Sequence, residues 1–219
     1  MKYLKAITTA TLIFGISGLA FTQIDLEQKA KEILEKVTKT YKAQKALYSE
    51  FTITTENKAE KMERVSETGK IWVKGDKYKL EFNEQIIICN GKTIWTYFPK
   101  TKELTIENYN AKDVEISPAT IFSFYKTGFL SKFDGSYTKD NITYDRVALN
   151  PTDKKKPYFY ITLHVNEAKS NIKQVDISFK SGIRQTIDIT TQTATQVLES
   201  KFFEYDPVLY PAGSTDDLR

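Results

Sequence analysis

A chain of 219 residues, 40% hydrophobic and 27% charged, can bury a core of its own, and long single β domains reach this length without a second one. Its formal net charge of +4 is dispersed and too small for a nucleic-acid footprint. One histidine excludes a multi-histidine metal site, and one cysteine excludes an internal disulfide.

Residues 1–23 begin with Lys2 and Lys5, continue as an apolar stretch from Ala6 to Phe21 and carry small residues at Gly18 and Ala20. This is the pattern of a cleaved secretory signal peptide. The stretch is short for a membrane span and gives way to the charged segment "TQIDLEQKAKE". One domain is expected over 24–219. Asp25 with Gln28 reads as a capping box, and Leu26, Ala30, Ile33, Leu34, Val37 and Tyr41 recur at helical spacing. The spacing predicts an amphipathic helix from Leu26 to Leu47 whose narrow apolar stripe packs on a core.

After Ser49 the period changes to two. Strand-like stretches follow, each ended by turn chemistry at Gly75-Asp76, Asn83-Glu84, Asn90-Gly91 and Pro99–Lys102. Ser117-Pro118 then sets an N-cap and first helical position ahead of "ATIFSFYKTGFL", a short and strongly apolar second helix. Strands resume to about Tyr205, with turns near Asp134-Gly135, Asp140-Asn141, "NPTDKKKP", "NEAKSN" and Ser181-Gly182. The pattern is a β-meander broken once by a helix.

Strict alternation assigns faces when two-residue turns are chained. Ile71, Val73, Tyr78, Leu80, Phe82, Ile87, Cys89, Ile94 and Phe98 fall together; Trp72, Lys77, Lys79, Glu81, Ile86, Ile88, Trp95 and Tyr97 fall opposite. The charged members mark the second face as outer. The first is broad, apolar and wider than the first helix can cover, so the second helix or a ligand is required.

Catalytic chemistry is sparse. His164 alternates with Thr162 and Tyr160, without a nucleophile or orienting carboxylate at recognisable spacing. Cys89 sits among isoleucines, where burial raises a thiol pKa and leaves it inert. No phosphate-binding loop or dinucleotide fingerprint occurs, and Lys154-Lys155-Lys156 reads as a solvated turn. The expectation is a non-enzyme without cofactor or metal.

"GKIWVK" (Gly69–Lys74), "NGKTIWTYFPKTKEL" (Asn90–Leu104), the Ser-Pro before a short apolar helix, "LNP" (Leu149–Pro151) and "SKFFEYDP" (Ser200–Pro207) occur in order. Together they resemble the LolA-type outer-membrane lipoprotein carrier family over nearly the whole chain after the signal; Gly-Lys-Thr-apolar-Trp is the most specific block. The resemblance implies a mainly β fold: a curved, half-open antiparallel β-barrel whose concave apolar face is covered by an N-terminal helix and a short lid helix. It also implies a periplasmic monomer that shields acyl chains of lipoproteins between inner and outer membranes. Its partners would be acylated lipoproteins, an inner-membrane lipoprotein-release transporter and an outer-membrane acceptor.

On that resemblance Ile71, Val73, Tyr78, Leu80, Phe82, Ile87, Ile94 and Phe98 are expected to contact lipid, and Ile121, Phe122, Phe124 and Tyr125 to form the lid. The family carries an arginine at or soon after "WVK". Here Lys74, Lys77 and Lys79 stand in that stretch as handover candidates, without the forked geometry of a guanidinium. The alternative is a periplasmic lipid or glycolipid carrier, or a lipoprotein-sensing module, of the same fold.

Overall fold

The helical spacing near the N-terminus forms one α-helix, α1 (Ser17–Lys42), in a computed structural model that describes residues 17–57, 62–110, 120–195 and 198–219. Side-chain surroundings are described from Asp25 onward, Met62 excepted. Ala30, Ile33 and Val37 form its buried stripe. Asp25 lies inside α1 rather than at its N-cap, because the helix already runs from Ser17. Most of the expected signal, residues 1–16, lies outside the described residues. Among the described residues, no helix is long and apolar enough to cross a membrane.

The expected C-terminal end of the helix moves forward. Leu47 opens β1 (Leu47–Asn57), where it pairs with strands on both sides. The β-branched alternation of "LYSEFTITTEN" suits that doubly paired position, and two ladders of hydrogen bonds outweigh one more helical turn.

The remaining strands are β2 (Met62–Lys74), β3 (Lys77–Phe82), β4 (Gln85–Cys89), β5 (Thr93–Phe98), β6 (Glu103–Asn108), β7 (Phe129–Lys139), β8 (Ile142–Pro151), β9 (Tyr158–Asn166), β10 (Asn171–Phe179), β11 (Arg184–Ala194) and β12 (Ser214–Asp217). They make one open sheet in the order β12-β6-β5-β4-β3-β2-β1-β11-β10-β9-β8-β7. Neighbours are antiparallel except β12, which adds in parallel to β6. The mainly β, half-open architecture is as expected.

Local chemistry sets the register. Asn83 and Glu84 hold φ of 51° and 58° in a two-residue turn that pairs Phe82 with Gln85, and Asp140-Asn141 makes the same turn at 52° and 60°. Asn90-Gly91 behaves differently. Cys89 pairs with Ile94, Asn90 bonds Thr93, and Gly91-Lys92 occupy the tip. The cause is the Asn90 side chain, whose Oδ1 accepts the backbone N–H groups of Lys92 and Thr93, both at 2.9 Å. The shift moves pairing by two residues, so the faces keep their members. Asp134-Gly135 is not a turn: it is a bulge within β7, with Gly135 at φ 87°.

The second helix is also corrected. Ser117-Pro118 lie outside the described residues; from Thr120 the chain makes a turn, then one 3-10 turn at Phe124–Lys126, and enters β7 at Phe129. Gly128, at φ 81°, ends the helical stretch where the notional helix would have continued.

Candidate functional site

The concave face of the sheet carries the main core. Leu47, Phe51 and Ile53 of β1, Ile71 of β2, Leu80 of β3 and the aliphatic residues of β8–β11 cluster with Ala30, Ile33 and Val37 of α1 and with Ile121, Phe122, Phe124 and Tyr125. Val73, Tyr78, Phe82 and Ile87 are partly buried and pack against this cluster. Ile94 and Phe98 continue the same face toward the β12 edge; they are half-buried and stand outside the cluster. The structure thus brings all eight expected contact residues to one surface, in a gradient from sealed to partly covered.

Gly69 shows why this surface needs its local sequence. It pairs with Phe51 on one side and Phe82 on the other, and a Cβ there would lie 2.4 Å from the Phe51 ring. The two rings meet over the glycine at 5.6 Å.

The segment Thr120–Gly128 lies over this face beside α1. The Phe122 ring meets Tyr41 at 5.0 Å, Phe124 meets Phe129 at 5.6 Å, and the Tyr125 hydroxyl is 3.3 Å from Thr38 Oγ1. Ile121, Phe122, Phe124 and Tyr125 are all buried. Burial pushes the Tyr125 phenol up to about 12, partly offset by the Thr38 hydrogen bond. Burial also raises Tyr41, although its oxygen accepts the Ile172 N–H at 2.8 Å. Neutral, satisfied hydroxyls let these rings sit in an apolar setting at little cost.

Three cavities border the segment. One of about 590 Å3 lies between Phe124, Lys126–Phe129, Tyr158, Asp76 and Tyr109; one of about 530 Å3 lies between α1, Tyr125 and Phe129; one of about 290 Å3 lies between the end of α1, Val73, Lys74 and Phe122. Lys126 lines all three.

The opposite face departs from expectation. On β2–β6 it is covered rather than solvent-facing. The C-terminal segment from Leu198 lies over it with a 3-10 turn at Ser200–Phe203. Phe203 is fully buried, Phe202 meets Trp72 at 5.7 Å, and Tyr210 meets Tyr97 at 5.7 Å. Lys79 Nζ lies 5.6, 5.1 and 5.4 Å from the ring centroids of Trp72, Phe202 and Tyr210. Lys79, one of the expected handover candidates, is thus a cation held among three rings on the convex face, with Glu81 Oε1 at 3.4 Å. Lys74 donates to the Leu198 carbonyl at 2.7 Å and also lines the smallest of the three cavities. Lys77 pairs with it across the β2–β3 turn. The pieces "GKIWVK", "NGKTIWTYF" and "SKFFEYDP" therefore meet under one cover, which accounts for their co-occurrence.

His164 has the orienting carboxylate that linear spacing hid. Its Nε2 is 2.8 Å from Asp176 Oδ2 on β10 and its Nδ1 is 2.9 Å from the Tyr137 hydroxyl. Burial would raise the Asp176 carboxyl, yet hydrogen bonds from His164, Thr186 and Gln174 hold it below its ordinary value. The Thr186 hydroxyl donates to Asp176 rather than to His164, and each of these groups has a hydrogen-bond partner, so the arrangement is a satisfied polar network. Burial pushes the Cys89 thiol up, as its setting predicts. Among the described residues, no group of three or more metal-ligating side chains forms.

The profile of the family described as "Outer membrane lipoprotein carrier protein LolA" matches residues 46–206. The chain belongs to the LolA family. A curated relative of this LolA-family chain, an uncharacterised protein of Methanocaldococcus jannaschii, is 26% identical over 199 residues, or 86% of this chain. The chain spans about half the length of that relative, 56%. Among solved structures, an uncharacterised conserved protein of Thermus thermophilus shares the fold at a TM-score of 0.55, with 12% identity, 87% of this chain and 99% of that one covered. A LolA superfamily protein of Nitrosomonas europaea aligns at a TM-score of 0.46, with 14% identity, 80% of this chain and 97% of that one covered. The family's description is that of a carrier, not a catalyst.

Proposed function

We propose that this LolA-family chain is a periplasmic carrier that shields the acyl chains of lipoproteins between the inner and outer membranes. The observation that carries the reading is the unequal covering of the concave face. Its aliphatic half is sealed under α1, while on β2–β5 Val73, Tyr78, Phe82, Ile87, Ile94 and Phe98 are half-buried around a sealed Leu80. Each buried methylene is worth about 0.8 kcal/mol, so an acyl chain leaving a membrane needs a surface of comparable apolarity.

Ile121, Phe122, Phe124 and Tyr125 fill the empty site and swing aside when acyl chains enter. Their own burial offsets part of the ligand's gain, which keeps binding reversible. Residues 1–23 direct export and are removed, and the mature protein acts as a monomer without cofactor. An inner-membrane release transporter supplies cargo and any energy, and an outer-membrane acceptor takes the cargo, with Lys74 and Lys77 at the β2–β3 turn near the opening. The test is to purify the mature protein from its own periplasm and analyse it by mass spectrometry. Acylated lipoproteins should co-purify; recovery of free lipid alone, or of nothing, overturns the reading.

A further inference from the structure

The cavity of about 530 Å3 between α1 and the start of β7 combines apolar side chains with a mostly cationic lining. Leu34, Tyr125 and Phe129 supply the floor. Lys31, Lys39 and Lys42 project from one side of α1, and Lys126 closes the ring from the 3-10 turn. Glu35 is the single carboxylate on the lining. Among the described residues, none of the four ammonium groups has an ion-pair partner within 4.0 Å. The spacing of the three α1 lysines at one flank of the buried stripe makes this a consequence of the fold: turning Ile33 and Val37 into the core turns Lys31, Lys39 and Lys42 toward the mouth.

An apolar pocket of this size with convergent cations matches an amphiphile that is greasy along its length and anionic at one end. A cargo with a neutral head would leave the lysines solvated and gain nothing from them. A free anion would gain charge but leave the floor wet. We propose that the cargo carries an anionic group, phosphate or carboxylate, next to its acyl chains, held at this mouth by Lys39, Lys42 and Lys126 while those chains lie on the concave face. This rests on the carrier reading and adds the class of headgroup to it. Because Lys126 also borders the other two cavities, its pairing with a headgroup couples cargo arrival to the segment whose side chains must move.

The experiment compares three probes below their aggregation limits by calorimetry on the mature protein: a palmitoyl lysophosphatidic acid, a palmitoyl monoacylglycerol of equal chain length, and inorganic phosphate. The lysophosphatidic acid should bind about tenfold tighter than the monoacylglycerol, an advantage that shrinks with added salt. In the triple variant Lys39→Gln, Lys42→Gln, Lys126→Gln that advantage should vanish while the monoacylglycerol affinity stays, and Lys92→Gln should change neither. Equal affinity for the two amphiphiles in the wild type overturns the headgroup inference and leaves the carrier reading standing. Failure of both amphiphiles to bind overturns both. Phosphate binding as strong as the lysophosphatidic acid, or lysine-dependent binding to intact phosphatidylglycerol vesicles without uptake of the monomeric amphiphile, also overturns it, since the rim is then an anion or membrane-surface site.

Discussion

The two halves of the sheet are covered in opposite ways. On β8–β11 the concave side is fully sealed, with Val147, Leu149, Ile161, Leu163 and Val175 at 0% exposure, while the convex side carries the polar network of His164, Asp176 and Tyr137. On β2–β6 the convex side is closed by the C-terminal aromatic cover, and the concave side holds half-buried Val73, Tyr78, Ile94 and Phe98. The C-terminal cover gives β2–β6 a second core behind its half-buried concave surface, so the sheet keeps its shape there without complete packing on that side. On the carrier reading proposed above, that is the side that exchanges contents.

The largest effect expected from breaking this division is Leu80→Glu. It places an unpaired carboxylate where exposure is 4%, and it should cost roughly 5 kcal/mol or unfold the protein. Lys79→Glu, one residue away on the other face, should also destabilise measurably, because it replaces a cation among three rings with an anion. Urea unfolding of both variants checks this, and a neutral Lys79→Glu would show that the convex cover is not a core.

Phe122→Ala and Phe124→Ala come next. Each should lower apo stability by about 3 to 5 kcal/mol. A segment that competes with ligand should also gain affinity for a fluorescent acyl probe when trimmed, since the liganded state has already displaced those rings. Thermal unfolding and probe titration on the same samples decide it: lost stability with unchanged or weaker affinity makes the segment permanent core.

A direct comparison of the halves uses Leu163→Ala and Ile94→Ala. The first should cost about 2 to 5 kcal/mol and leave probe affinity per folded molecule unchanged; the second should cost less than about 1 kcal/mol and weaken the probe. Equal costs would erase the distinction. Gly69→Ala should cost about 1 to 3 kcal/mol by forcing the Phe51 ring aside, and Phe51→Leu in the same chain should recover part of it.

The smallest expected effect reports on the polar network. Asp176 titrates below its ordinary 3.8 in the folded protein, so the unfolded chain binds the proton more readily as pH falls. The resulting stability is present above that ordinary value and lost as pH drops through the lower folded value. Asp176→Asn should therefore flatten the loss of thermal stability below about pH 4. An unchanged acid limb would remove Asp176 from the account.

Face membership on β2–β5 was legible because alternation is robust: even the two-residue shift at Asn90 preserved it. The end of the first helix was not legible, since the competitor was pairing of Leu47 with Val73 and Ala194, residues distant in the chain. The second helix failed for a similar reason, as an apolar run that must cover a curved surface satisfies its side chains in a turn as well as in a helix. The C-terminal cover left one readable signal, the density of aromatic residues in "SKFFEYDPVLYP", but its partners on Trp72 and Tyr97 lie far away in sequence. The partner of His164 was not legible because Asp176 reaches it across strands rather than along one.

The position of β1 also constrains how the protein is born. Its ladder on one side is completed only by β11, a link shown by Ser49 Oγ donating to the Thr191 carbonyl 142 residues later, and the β6 edge waits for β12. Pairings of such long range are slow and cannot be made by a partly synthesised chain. The sheet that joins the two halves is therefore complete only when the last strands arrive. On the carrier reading proposed above, a nascent or truncated chain lacks a complete container for an acyl group.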